Sequence, residues 1–212
     1  MLGHLLFILG FMVLGAAMPD AVWQSGTTEY LFVIGGIGLW RYSWGALHIV
    51  RALIYRKLVF PRWRAEVDAL GDDALPDHAM LLVTSFRIGT ETTRRVYKSV
   101  FDEAFSCGTR TTVIASIVEM GDQRLIKTLF DTYAPDDKVR LKFVRIAGTG
   151  KRDALAVGFR AIAAENPGEN DIAAVIDGDS MLEPGLVRRS AGFFKTQPKV
   201  GALTTDEVCE VE

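Results

Sequence analysis

Ile172-Ala173-Ala174-Val175-Ile176-Asp177-Gly178-Asp179-Ser180 decides the fold of this chain. A fully apolar run of strand length, bounded by turn residues, suits a buried strand of a parallel sheet. It ends in two aspartates separated by one glycine. At an extended chain end, residues i and i+2 point the same way, so Asp177 and Asp179 are expected to converge on one cation. Oxygen ligands of little bulk suit Mg²⁺ or Mn²⁺, which complete their shell with water and phosphate oxygens. A solvated turn is the plain alternative.

Outward from this stretch, strand and helix patterns alternate. Strands are predicted at Met80–Ser85, Thr112–Val118 and Val139–Ile146, and one more begins at Val200–Thr204. Helical spacing marks Thr90–Ser106, with Val96, Val100, Ala104 and Phe105 on one side and Cys107-Gly108 as the stop. It marks Asp122–Tyr133, with Leu125, Ile126, Leu129 and Phe130, and Asp153–Ala164, with Leu155, Phe159 and Ile162 inward. Val187–Lys195 reads as a helix as well. Strands about thirty residues apart joined by helices mean βαβ units and a mainly parallel sheet, an α/β fold. Ligands of such sheets sit at the carboxyl ends of the strands. Those ends carry Ser85-Phe86-Arg87, Glu119-Met120-Gly121-Asp122, Gly148-Thr149-Gly150-Lys151-Arg152-Asp153 and Asp177-Gly178-Asp179.

Gly148 to Arg152 is not a P-loop, because Arg145 stands where its first glycine belongs and Arg152 where Ser or Thr belongs. It is a glycine-rich turn opening a helix. Its amides, with Lys151 and Arg152, can meet the oxygens of a diphosphate, or it is a solvated turn with a basic pair. Glu119 and Asp122 can accept hydrogen bonds from a base or ribose, and Asp122 can equally be a helix N-cap. An EF-hand fails, since Met181 and Leu182 occupy its fifth and sixth positions. In haloacid-dehalogenase-type phosphatases the double aspartate ends the first strand, whereas here it ends about the fourth. His48 and His78 lack partners suggesting catalysis and read as structural.

The 212 residues are 49% hydrophobic with net charge −2, which excludes a nucleic-acid binder by electrostatics. The excess apolar content, with mean hydropathy +0.19, concentrates in the first fifty residues. Leu2–Met18 and Tyr30–Val50 are predicted to be membrane helices. A cleaved signal peptide is the rival for the first, against which stands its lack of Lys and Arg. Arg41 interrupts the second, either snorkelling and pairing or serving a polymer path. Gly35, Gly36 and Gly38 allow another helix to approach. Arg51, Arg56, Lys57, Arg62 and Arg64 follow with no acid until Glu66, which places the remainder in the cytoplasm. Interleaved with Leu53, Ile54, Tyr55, Leu58, Phe60 and Trp63, they suit a helix lying in the headgroup layer, kinked or ended by Pro61. The expected organisation is two transmembrane helices and an interfacial basic helix over 1–66, a linker over 67–77 and a nucleotide-binding unit over 78–212. Cys107 and Cys209 have neither zinc-ligand nor disulfide spacing and read as thiols in a reducing compartment.

The strand ends, Gly148 to Leu155 and Asp177-Gly178-Asp179 resemble the processive family 2 glycosyltransferases, the group of the cellulose, chitin and hyaluronan synthases. Leu39–Ser43, Leu82–Ile88, Ala115–Met120, Gly148–Asp153 and Leu203–Glu207 resemble its mannuronan synthase (alginate polymerase) branch. The resemblance implies a GT-A fold, with 78–212 its amino-terminal part, and a GDP-mannuronate donor. It implies inverting, metal-dependent polymerisation of mannuronan at the bacterial inner membrane, with a multi-pass anchor and a cytoplasmic catalytic domain. Partners would be the nucleotide sugar, the growing polysaccharide, the membrane and other polysaccharide-secretion proteins. It assigns Ser85, Arg87, Glu119, Asp122, Lys151, Arg152, Asp153 and Asp177 to the nucleotide sugar, and Asp177 and Asp179 to the metal. The family's catalytic carboxylate and acceptor motif lie beyond Glu212, so the chain is expected to be truncated and inactive alone. A non-catalytic membrane scaffold with a degenerate nucleotide-binding domain is the alternative.

Overall fold

The computed structural model describes residues 2–17, 28–85, 88–148 and 150–205. The chain divides into two compact units, Met1–Pro61 and Arg62–Glu212.

The first unit contains helices α1 (Leu2–Ala16) and α2 (Thr28–Ile54). Phe7 packs edge-on against Trp40 at 4.5 Å and stacks on Trp44 at 5.7 Å. Trp40, Trp44 and His48 recur every fourth residue and so share one face of α2. Among the described residues no helix is long and apolar enough to cross a membrane. The fifteen residues of α1 extend about 22 Å, short of a hydrocarbon core of roughly 30 Å. The twenty-seven of α2 are long enough but include Arg41, Ser43, His48 and Arg51. Pro61, expected to kink or end the following helix, does not end it. A π turn over Tyr55–Val59, closed by the Phe60 N–H on the Tyr55 carbonyl, widens the helix just ahead of the proline ring, and α3 (Phe60–Asp68) runs on through it.

The second unit is built on four strands, β1 (His78–Thr84), β2 (Arg110–Ile117), β3 (Val139–Arg145) and β4 (Ile172–Asp177). All are parallel, in the order β3-β2-β1-β4. The chain steps outward from β1 to β3 and then returns to the far side of β1, so the order reverses between β1 and β4. Helices α4 (Thr90–Ser106) and α5 (Met120–Phe130) follow β1 and β2, α6 (Lys151–Ala163) follows β3, and α7 (Leu186–Thr196) follows β4. On one face Val96, Tyr97, Val100, Phe101 and Ala104 of α4 cluster with Leu81, Val83, Val113, Ala115 and Ile117. On the other, Ile162 of α6 clusters with Met80, Leu82, Ile114 and Val144. Each of the larger side chains among these contributes about 1.5–3 kcal/mol by leaving water.

Three expectations are corrected. Phe159 was expected inward and is half exposed, because the row that meets the sheet is Ala154, Gly158 and Ile162. Gly158 lets α6 settle onto Leu82, where a Cβ would lie 2.5 Å from a methyl. Val200–Thr204 is not a strand, since a strand needs backbone partners and the segment is largely exposed with none in the sheet. Ile172–Ile176, expected to be a buried strand, is an edge strand with Ala173 and Val175 exposed. Within 67–77, Val67 and Ala74 are buried, and Lys195 of α7 donates to the carbonyls of Asp73 and Leu75.

His78 is structural, as expected. Its Nδ1 accepts from Arg110 at 2.9 Å, which leaves the Nε2 proton for Thr112 Oγ1 at 2.8 Å. Burial and the Arg110 charge hold its pKa below the usual value, so it is neutral. It lies at the amino end of β1, across the sheet from the acidic edge.

Candidate functional site

The strand order reverses between β1 and β4, and open α/β sheets take ligands at the carboxyl ends of their strands at such a switch point. Thr84 and Asp177, the last residues of these strands, stand opposite each other in the ladder. Thr84 Oγ1 also donates to the Ile176 carbonyl, at 3.4 Å. Past Asp177 the chain turns, with the Ser180 N–H bonding the Asp177 carbonyl at 3.0 Å. Asp179 is therefore on a β-turn, and strand alternation is not what relates the two carboxylates. Asp177 is half-buried and Asp179 exposed.

Gly178 between them is buried against β1. A Cβ there would lie 2.6 Å from the Thr84 carbonyl oxygen, 3.1 Å from the Ser85 Cα and 2.4 Å from the Ile88 Cδ1. Only glycine admits this approach, which seats the acidic turn on the end of β1.

Lys151 opens α6 and reaches the same place. Its Nζ lies 2.6 Å from Asp177 Oδ1 and 2.7 Å from Oδ2. At 56% and 42% exposure the pair adds at most about 1 kcal/mol to stability. Gly150, the N-cap of α6, has φ 122, which excludes a side chain without strain. As a glycine, this N-cap supplies no side-chain cap bond of its own. Arg152 and Asp153 lie in that turn, both exposed. Two cations there oppose the positive end of the helix dipole, at a cost of about 0.3–1 kcal/mol each.

A second cluster lies at the ends of β1 and β2. Ser85 Oγ is 3.3 Å from the hydroxyl of fully buried Tyr97, whose pKa burial raises. The charge of Asp122 also bears on Tyr97. Asp122 does not cap α5; Glu119 holds the N-cap position, without a side-chain cap bond, and Asp122 lies in the first turn. Burial, with Glu119 nearby, raises the pKa of Asp122 above the usual carboxylate range. Two carboxylates held close together attract N–H and O–H donors.

Thus Lys151 meets Asp177, the turn bearing Asp179 packs on Ser85, and Glu119 couples to Asp122. Arg87 lies outside the described residues. Tyr97 was missed, because on a buried helix face it has the same spacing as the core residues around it. Among the described residues no group of three or more His, Cys, Asp and Glu side chains is placed to hold a metal. The acidic turn offers two carboxylates, and further ligands would have to come from water or a bound anion.

The chain belongs to the family described as glycosyltransferase like family 2, whose model matches residues 76–211. Its α/β fold with a parallel sheet is accordingly GT-A-like. It is 47% identical over 209 residues to a protein named Glycosyltransferase alg8 from Pseudomonas syringae pv. tomato, covering 99% of this chain and 42% of that protein. It is 48% identical over 199 residues to the protein of that name from Azotobacter vinelandii, covering 94% of this chain and 40% of that one. The chain therefore spans about two fifths of the length of the curated relatives it matches.

Gly178→Ala should destabilise the chain by about 1–3 kcal/mol, because the added methyl meets backbone that cannot yield. Lys151→Met should cost about 1 kcal/mol or less, since its ion pair is exposed. Urea unfolding of the two variants checks this order, and equal costs would show that Gly178 is not wedged against β1.

Proposed function

We propose that this chain carries the donor-binding face of a metal-dependent, inverting glycosyltransferase, with the diphosphate of a nucleotide sugar lying between the acidic turn and the first turn of α6. The observation that carries this reading is the Lys151–Asp177 pair, a cation and a carboxylate brought from opposite edges of the sheet to its switch point. Lys151 and Arg152, unfavourable beside a bare helix start, become favourable once phosphate oxygens are there, and the positive end of the α6 dipole favours the same anion.

The donor set at Asp177 and Asp179 fits Mg²⁺ or Mn²⁺, being all oxygen with coordination places left for phosphate and water. Bound there, the ion supplies charge neutralisation for the departing diphosphate. Lys151 turns from Asp177 toward phosphate oxygens, and Arg152 adds a second cation. Ser85, Glu119 and Asp122 take hydrogen-bond donors of the nucleoside, and Arg87 and Asp153 belong to the same donor subsite. In the whole protein a base would take the acceptor hydroxyl's proton as that oxygen attacks the sugar's anomeric carbon, and the diphosphate leaves.

The resemblance to mannuronan synthases supports GDP-mannuronate as donor and mannuronan, for alginate, as product, with other polysaccharide-secretion proteins as partners. Calorimetry of the full chain with GDP, UDP and Mn²⁺ tests the donor reading. Mn²⁺-dependent binding of GDP above UDP, lost in Asp179→Ala, is expected. No nucleotide binding with either ion state would favour a scaffold with a degenerate domain.

The first unit is proposed to hold the protein on the bacterial inner membrane, with the second unit cytoplasmic. What supports this is exposed apolar surface that water disfavours. Leu5, Leu6, Leu9, Met12 and Val13 of α1 are each more than 60% exposed, as are Ile37, Ile49 and Leu58. Arg51, Arg56 and Lys57 suit anionic headgroups. The chain should stay in the pellet on alkaline carbonate extraction of membranes; release into the supernatant would contradict the anchor.

A further inference from the structure

We propose that Ser99 and Glu103, one helical turn apart on α4, are positioning residues for the acidic turn, acting through the backbone that follows it. This rests on the reading of Asp177 and Asp179 as metal ligands.

Ser99 Oγ accepts the Leu182 N–H at 2.9 Å while donating to the Val96 carbonyl at 2.8 Å. The Glu103 carboxylate accepts the Gly185 N–H at 2.6 Å and the Val187 N–H at 2.8 Å. Glu103 is 1% exposed. A carboxylate withdrawn that far from water is tolerated only when strong, charge-assisted bonds replace its hydration. Here each oxygen meets an N–H at the start of α7, where the positive end of the helix dipole favours an anion.

Helix α7 has no cap of its own. Its N-cap is Gly185, in the left-handed region with φ 78 and without a side chain. Glu103 does from another helix what an N-cap Ser or Asp does locally. Three N–H groups within Leu182–Val187 are thereby fastened to one helix. Upstream, Asp177 is held in the ladder with β1 and Gly178 against Thr84. Asp179 thus stands on a short bridge anchored at both ends, at Gly178 by β1 and at Leu182 by α4. Because α4 also lies under Ser85 through Tyr97, one helix sets both the nucleoside end and the metal end of the site.

Hydrogen exchange and Mn²⁺ titration with GDP on the full chain test this in Ser99→Ala and Glu103→Gln. Residues 178–187 should exchange faster while β1 and β2 stay protected. In Glu103→Gln the affinity for Mn²⁺ with GDP should fall about tenfold, and the exchange protection of β1 and β2 should change by less than about twofold. A general loss of structure would lower both, so the split identifies positioning. Should Glu103→Gln lose protection throughout, Ser99→Ala decides, with an Mn²⁺-specific loss of about threefold supporting the role. Faster exchange at 178–187 with wild-type Mn²⁺ affinity overturns the positioning role. Unchanged exchange there overturns the tether itself. A wild-type chain that binds no Mn²⁺ overturns the metal reading, and the positioning role with it, even where exchange shows the tether to be present.

Discussion

The parallel pairing of β4 with β1 is the constraint on which the rest depends. It returns the chain from the β3 edge to the opposite side of β1, sets Asp177 level with Thr84, and leaves the carboxyl ends of the two strands as neighbours. Helix α6 makes that return and packs on the sheet through Gly158, which leaves its first residue within reach of Asp177. Gly178 then presses the turn onto the end of β1 so closely that no side chain fits. Strand order, one missing Cβ and one helix start together determine where the charges meet.

Those charges are arranged against the interest of the empty protein. Lys151 and Arg152 sit at the positive end of a helix dipole, and Glu119 stands beside a half-buried Asp122 whose pKa is raised. Arrangements of this kind, costly in folding and relieved by a ligand of matching charge and hydrogen bonding, are what binding sites contain. By contrast, the opposite end of the sheet is fully settled. There His78, Arg110 and Thr112 satisfy one another, and Lys142 pairs with Glu165.

Much of this was legible in the amino-acid order. Apolar runs bounded by turn residues gave β1 to β4 within a residue or two, and helical spacing gave α4 to the residue, since its buried stripe is long and regular. The acidic and basic residues at the strand ends stood out because polar groups rarely follow buried strands without reason. What could not be read was three-dimensional. Strand periodicity suggested that Asp177 and Asp179 align as strand neighbours, but the strand stops at Asp177 and a turn hydrogen bond takes over. Val200–Thr204 has strand composition, yet composition cannot supply a partner. The role of Glu103 could not be read either, because a cap delivered across more than eighty residues leaves no local signal.

A crystal of the full chain grown with Mn²⁺ and GDP, measured at a wavelength where manganese scatters anomalously, tests the central claim most directly. One anomalous peak at coordination distance from both Asp177 and Asp179, with Lys151 turned from Asp177 onto the diphosphate, is the predicted result. A peak elsewhere, or bound GDP with the Lys151–Asp177 pair intact and no ion at the turn, would contradict it.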